Sequence, residues 1–127
     1  MIRGVDHINI ATRKLAETRA FYVDALGLHE GPRPPFASPG YWLYAGDRPV
    51  VHMQEAAGPV LASDASALNH AAFLVDDMDA ALARLGQQGV PYELTTIPGT
   101  MARQAFFRDP NGVRLELNGA PETPLDL

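Results

Sequence analysis

The chain lacks cysteine, long apolar runs and any excess of basic residues. Its 127 residues include 10 Lys and Arg against 15 Asp and Glu, for a formal net charge of −5. The absence of cysteine excludes disulfides, thiolate metal sites and a cysteine nucleophile. The acidic balance argues against nucleic acid as a partner, because proteins that bind it usually carry basic patches.

No apolar stretch reaches the roughly 18 residues that a membrane span needs. The opening residues, MIRGVDHINIA, also lack the apolar core of a secretion signal. We therefore expect a cytoplasmic protein with neither a membrane nor a nucleic acid as partner.

Two stretches of the chain repeat one pattern: VDHINIATRKLAETRAFYVDALGL and LNHAAFLVDDMDAALARLGQQGV. Each predicts a short apolar strand with a histidine at its third position, then an amphipathic helix that ends near Gly27 or Gly89. Three strand-like segments follow each helix: in the first half near Leu28–Gly31, YWLYAG and PVVHMQ, and in the second PYELTT, RQAFFRD and VRLELN.

The pattern predicts an α+β fold in which two βαβββ modules form a curved mixed sheet. We place the modules at about residues 1–56 and 68–120, with a linker at 57–67, a single domain at 1–120 and a tail at 121–127. The sequence DPNG, between the last two predicted strands, is typical of a turn.

Four side chains that can bind a metal fall at matching places in the two halves. His7 and His70 lie in the first predicted strands, whereas His52 and Glu116 lie in the last ones at nearly equal intervals. Because side chains alternate between faces of a strand, all four lie opposite the apolar face. Two half-sheets side by side would then direct them into one cleft. A buried histidine bonded to a backbone carbonyl is the alternative for His70.

The same alternation predicts which side chains pack against the helices. The strand residues expected in this core are Ile8, Ile10, Phe73, Val75, Leu115 and Leu117. The helix residues expected opposite them are Phe21, Leu26, Leu82 and Leu85.

The segments HINIATRKLAETRAFYVDALGL, NHAAFLVDD and FFRDPNGVRLELN resemble the vicinal oxygen chelate superfamily. That superfamily includes glyoxalase I, extradiol dioxygenases, fosfomycin-resistance enzymes and bleomycin-binding proteins, and the resemblance covers about residues 2–118. It implies a metal cleft in which His7, His52, His70 and Glu116 hold a divalent ion (Fe, Mn, Ni, Co or Zn) and Glu116 also acts as the base. It further implies a small-molecule substrate and a homodimer.

The departures from family patterns favour one chemistry over the others. Phe106 occupies the position where extradiol dioxygenases carry a tyrosine, and His52 replaces a glutamate of glyoxalase I. Asn9 replaces the threonine of fosfomycin-type enzymes. Trp42 is a candidate for lining a cleft, and Arg114 lies on the same strand face as Glu116. These four residues, Asn9, Trp42, Phe106 and Arg114, are the candidate substrate contacts.

We expect a metal-dependent, glyoxalase-like lyase or isomerase whose substrate chelates the metal through vicinal oxygens. An extradiol-type ring-cleaving dioxygenase is the first alternative. A non-enzymatic protein for small-molecule binding or drug resistance is the second.

Overall fold

A computed structural model describes residues 1–119 of the chain. It divides into two compact units, Met1–Leu61 and a second that begins at Ala62. This boundary lies within the predicted linker, whereas residue 120 and the predicted tail at 121–127 lie outside the described residues. Within residues 1–119, no helix has both the length and the apolar content that a membrane crossing requires.

The first unit has the element order βαβββ. Its elements are β1 (Ile8–Thr12), α1 (Leu15–Asp24), β2 (His29–Gly31), β3 (Gly40–Ala45) and β4 (Arg48–Glu55). The sheet order is β1-β4-β3-β2. The first strand runs parallel to the last, and the other neighbours are antiparallel.

The second unit repeats this arrangement after a short 3-10 helix at Ser63–Ala65. Its elements are β5 (Ala71–Val75), α2 (Met78–Gln87), β6 (Glu93–Thr96), β7 (Arg103–Arg108) and β8 (Arg114–Gly119). The sheet order is β5-β8-β7-β6, again with a parallel pair of first and last strands. The predicted α+β fold of two βαβββ modules is therefore confirmed, with one four-stranded mixed sheet in each unit.

Local chemistry explains where the helices begin and end. The Asp77 side chain accepts a hydrogen bond from the Ala80 backbone N–H at 3.0 Å and so caps the start of α2. Gly27 and Gly89 follow the two helices with φ of 76° and 67°, which are left-handed values that favour glycine. The predicted helix ends are thus confirmed.

Each unit has its own apolar core between the helix and one face of the sheet. In the first unit, the buried apolar side chains are Ile10, Tyr22, Ala25, Leu43, Val51 and Met53. In the second, they are Met78, Leu85, Ala102, Ala105, Phe107, Leu115 and Leu117. Strand residues that alternate with them lie on the opposite face, as the predicted alternation requires.

Two predictions about the first strands need correction. β1 and β5 begin at Ile8 and Ala71, so His7 and His70 directly precede their strands and are not inside them. Several residues predicted to be core are only half-buried: Ile8, Phe73, Val75, Phe21, Leu26 and Leu82. The strands concerned, β1 and β5, are sheet edges, and the helices pack mainly over β3, β4 and β8.

Leu85 provides a test of the second core. Its side chain is fully buried, whereas Leu82 on the same helix is only half-buried. Truncation of Leu85 to alanine removes buried contacts and leaves a cavity, so we expect L85A to lower the free energy of unfolding by about 2–5 kcal/mol. Denaturant titration measures this loss. The control, L82A, should lose clearly less; equal losses would contradict the assigned packing.

Candidate functional site

In the second unit, strand pairing brings His70 and Glu116 together. Parallel pairing of β5 with β8 sets Ala72 opposite Glu116, so His70 lies two residues before the position that faces the carboxylate. The His70 Nε2 atom is 3.2 Å from Glu116 Oε1. Glu116 is buried, whereas about a third of the His70 side chain is exposed.

In the first unit, the same register brings His7 and His52 together. Parallel pairing of β1 with β4 sets Asn9 opposite His52, and His7 again lies two residues earlier. The two imidazole rings stack with their centroids 3.7 Å apart and their planes 13° apart. Each unit thus places two predicted metal ligands side by side, at equivalent positions of equivalent strands.

An aromatic ring lies directly opposite the last-strand ligand in each unit. Trp42 on β3 pairs with His52 and stacks on it at 3.9 Å between centroids. Phe106 on β7 pairs with Glu116, and its ring meets that of His70 edge-on at 5.7 Å. Two predicted substrate contacts, Trp42 and Phe106, are therefore equivalent residues of the two modules.

A hydrogen bond to the preceding residue orients both His7 and His70. Asp6 Oδ2 is 2.7 Å from His7 Nδ1, and Asn69 Oδ1 is 2.7 Å from His70 Nδ1. The bond to His7 lowers the pKa of the Asp6 carboxyl. In both cases the Nδ1 atom is engaged and Nε2 is left to bind another group, an arrangement common around metal-binding histidines.

A short chain of polar groups holds the other oxygen of Glu116. Gln104 Nε2 donates to Glu116 Oε2 at 3.3 Å, and Thr95 Oγ1 donates to Gln104 Oε1 at 3.3 Å. Among residues 1–119, His70 thus lies beside Oε1 and Gln104 beside Oε2. This chain fixes the orientation of a buried carboxylate.

His52 is a buried imidazole with one unsatisfied nitrogen. Its Nε2 atom is buried and has no hydrogen-bond partner among the described residues. Burial lowers the pKa of His52, and the neighbouring His7 acts in the same direction. Both effects favour the neutral imidazole, the form that binds metals.

The stacking of His7 on His52 prevents the two rings from binding one ion together in this arrangement. Because the His7 and His52 planes are nearly parallel, their in-plane lone pairs do not point at a common atom. Binding of one ion by both rings requires one of them to turn. His7 is the more exposed of the two and has more room to do so.

The donor set of these residues fits a divalent cation. Neutral imidazole and carboxylate are the ligand types that Fe(II), Mn(II), Ni(II), Co(II) and Zn(II) share. A cation could bind the His52 Nε2 atom, which has no hydrogen-bond partner among the described residues. A cation could also bind between His70 Nε2 and Glu116 Oε1, which lie close together. Within each unit, residues 1–119 bring two such ligands together and not three.

The other predicted substrate contacts lie on the same sheet faces as these pairs. Asn9 donates to Gln54 Oε1 at 3.4 Å. The Arg114 guanidinium lies over the Phe106 ring, 4.3 Å from its centroid. Arg114 and Phe106 also border a pocket of about 470 Å³ in the second unit.

Sequence reasoning missed Asp6, Asn69, Gln104 and Thr95. A signal for Asp6 and Asn69 was present, because each directly precedes a histidine whose Nδ1 proton it can accept. Gln104 and Thr95 carry no such signal, since their roles depend on the register between β6, β7 and β8.

Comparison with known proteins identifies relatives along almost the whole chain. The family model of the Glyoxalase/Bleomycin resistance protein/Dioxygenase superfamily matches residues 4–117. The uncharacterized protein YaeR of Escherichia coli K12 is 33% identical over 91% of this chain and 95% of its own length. A protein named Glyoxylase I 4 from Arabidopsis thaliana is 25% identical over 98% of this chain and 75% of its own.

A solved structure confirms the fold. The crystal structure of a glyoxalase family protein from Bacillus anthracis superposes with a TM-score of 0.78 at 27% identity, covering 94% of this chain and 96% of that one.

Gln104 is predicted to support the buried Glu116. In metal-free protein, Gln104→Leu removes the donor to Oε2 and leaves a buried carboxylate oxygen without a partner. We expect the free energy of unfolding to fall by about 1–3 kcal/mol. Thermal or denaturant unfolding measures the loss. Thr95→Val is the control, because it removes only an exposed hydroxyl and should cost less; a Gln104→Leu protein as stable as the wild type would refute the role.

Proposed function

Because the chain belongs to the Glyoxalase/Bleomycin resistance protein/Dioxygenase superfamily, we propose that it is a metal-dependent, glyoxalase-like lyase or isomerase. Its substrate would be a small molecule that chelates the metal through two neighbouring oxygens. The observation that carries the proposal is the duplicated ligand pair: His7 with His52, and His70 with Glu116, each set by the same register of parallel strands. The similarity to Glyoxylase I 4 supports the choice of reaction.

The proposed ligands are His7, His52, His70 and Glu116. A divalent ion held by them, one of Fe, Mn, Ni, Co or Zn, would supply Lewis acidity toward the substrate oxygens. The engaged Nδ1 atoms of His7 and His70 support ligation through Nε2 in both residues. The orphaned Nε2 of His52 supports its inclusion, although stacking against His7 makes it the ligand that most needs reorientation.

Glu116 is the proposed base. Its Oε1 faces His70, so Oε2 is the oxygen assigned to taking a proton from the substrate. The hydrogen bond from Gln104 to Oε2 is long, at 3.3 Å, and can be given up as the proton arrives. Burial of the carboxylate also keeps water away from this oxygen.

Phe106 supports an isomerase or lyase over ring cleavage. Its phenyl ring lies beside His70 and under Arg114, and it offers no hydrogen bond or proton at that position. Proton transfer next to a metal-bound carbonyl requires mainly a base, which Glu116 provides. Asn9, Trp42 and Arg114 are proposed to contact the substrate together with Phe106.

Three further properties remain predictions. We propose a small-molecule substrate as the partner, a homodimer as the assembly and the cytoplasm as the location. The first and second agree with what the family resemblance implies.

Trp42 allows the ligand set to be tested by fluorescence. It is the only tryptophan and stacks on His52, so a paramagnetic Co²⁺ or Ni²⁺ bound by His7 and His52 should quench its emission saturably. If all four residues hold one ion, H70A and E116Q should each raise the Kd by at least about tenfold, because outer partners of metal ligands alone contribute roughly 10–100-fold.

The fourth histidine provides the control for this titration. His29 is exposed and stacks on Tyr44, so H29A should leave the Kd unchanged. If H70A and E116Q leave the Kd measured by quenching unchanged, the two ligand pairs bind metal separately. Calorimetry of H52A, in which the Trp42 stack is lost, decides whether His52 is itself a ligand.

The reaction can be assigned with a substrate panel. Fe(II)-, Ni(II)- and Zn(II)-loaded protein is incubated with the methylglyoxal–glutathione adduct and with catechols. We expect isomerisation of the adduct, which E116Q should reduce at least about a hundredfold because it removes both a ligand and the base. E55Q, a change at an exposed carboxylate at the end of β4, should be neutral. Oxygen uptake with a coloured ring-cleavage product would favour the dioxygenase, and inactivity throughout would favour a binding protein.

A further inference from the structure

Arg114, Asn69 and His70 are linked by a short chain of hydrogen bonds. The Asn69 Oδ1 atom accepts from Arg114 Nη1 at 2.8 Å and lies 2.7 Å from His70 Nδ1. An arginine only donates hydrogen bonds, so the Asn69 atom facing it must be the amide oxygen and not the nitrogen. An amide oxygen only accepts, so His70 Nδ1 must carry the proton. When the imidazole is neutral, its Nε2 lone pair then faces Glu116 Oε1 at 3.2 Å.

The opposite arrangement would give the metal-free protein a hydrogen bond to Glu116 that the first arrangement of a neutral His70 lacks. If the Asn69 amide were turned over, its NH₂ group would donate to His70 Nδ1, and Nε2–H would donate to Glu116. Every hydrogen bond in that chain would be made, but the Nε2 lone pair needed by a metal would be lost. Arg114 prevents this inversion, because the turned amide would point its NH₂ at a guanidinium.

Arg114 is free to serve this purpose. Within residues 1–119, it forms no ion pair, whereas Arg103 and Arg108 of the same unit pair with Asp79 and Asp64. Its position is held by the Phe106 ring, 4.3 Å beneath the guanidinium. The contact between Arg114 Nη1 and His70 Nδ1, at 3.5 Å, is longer than the contact that either atom makes with Asn69 Oδ1.

In the first unit, a protonated Nδ1 of His7 requires no arginine. There the acceptor of the His7 Nδ1 proton is the carboxylate of Asp6, which cannot be turned into a donor. The residue equivalent to Arg114, two before His52, is Val50. An orienting cation is thus found in the module whose histidine follows an amide.

We propose that Arg114 is a positioning residue that, through Asn69, keeps the His70 Nε2 lone pair directed at Glu116 and available to a metal. The protonation of Nδ1 follows from the hydrogen bonds alone. Its consequence for metal binding rests on the function proposed above.

The experiment uses the variants R114M, N69D and N69D/R114M, with R108M as the matched control. Long-range ¹H–¹⁵N NMR of metal-free protein, at an alkaline pH where imidazoles are ordinarily neutral, reports the proton position on His70. We expect a protonated Nδ1 in the wild type, N69D, N69D/R114M and R108M, and a proton on Nε2 in R114M. An unprotonated Nδ1 in the wild type, or an R114M spectrum like that of the wild type, would overturn the proposal.

Affinity for Co²⁺, measured by calorimetry, provides the second readout. Loss of a nearby positive charge should by itself strengthen binding of a cation. The proposal expects the reverse: R114M weakens Co²⁺ binding about tenfold, within the range for outer partners of metal ligands. In the N69D background, where the introduced carboxylate can only accept, R114M should cause no loss. Equal losses in both backgrounds, or tighter binding by R114M in the Asn69 background, would refute the positioning role.

The two readouts separate this proposal from the proposed function. If the His70 proton moves as expected but the wild type binds no Co²⁺, the metal function fails and the role of Arg114 in setting the proton stands. If Co²⁺ binds but neither readout responds to R114M, the positioning role fails alone. Unfolding midpoints of all variants show whether each has folded.

Discussion

The parallel pairing of the first and last strands of each module is the constraint from which the candidate site follows. These two strands are separated along the chain by a helix and two further strands, yet they are neighbours in the sheet. Their register pairs His52 with Asn9, two residues after His7. It likewise pairs Glu116 with Ala72, two residues after His70. A shift of one residue would turn the ligands toward the helix and the apolar side chains away from it, so core packing and ligand placement depend on the same alignment.

The two faces of each sheet have different requirements. The face toward the helix needs volume and shape, and is filled in the second unit by Leu115, Leu117, Phe107 and Leu85. The opposite face needs complementary donors and acceptors. Its two versions have diverged. In the first unit the rings of His7 and Trp42 stack on His52, whereas in the second Glu116 lies among polar and charged groups.

Much of this architecture could be predicted because it depends on periodicity and repetition. Alternation placed Ile10, Leu115 and Leu117 on the helix face, and the repeat placed the two ligand pairs at equivalent positions. The starts of the first strands were predicted too early, since ladder pairing and not hydrophobicity determines where Ile8 and Ala71 begin. The partners Gln104 and Thr95 were missed because their hydrogen bonds depend on neighbours that only the folded register supplies. The ligand set itself is a prediction, with each pair brought together in its own unit.

Alternation along the strands also affects how such a protein can change over evolutionary time. Residues that determine folding and residues that determine chemistry occupy neighbouring positions in the sequence but opposite sides of one sheet. A substitution at Asn9, Trp42 or Phe106 alters what the exposed face offers and leaves the packed face nearly untouched. The fold can therefore be retained while the activity changes. Duplication widens this freedom, because one module can keep its chemistry while mutations accumulate in the other.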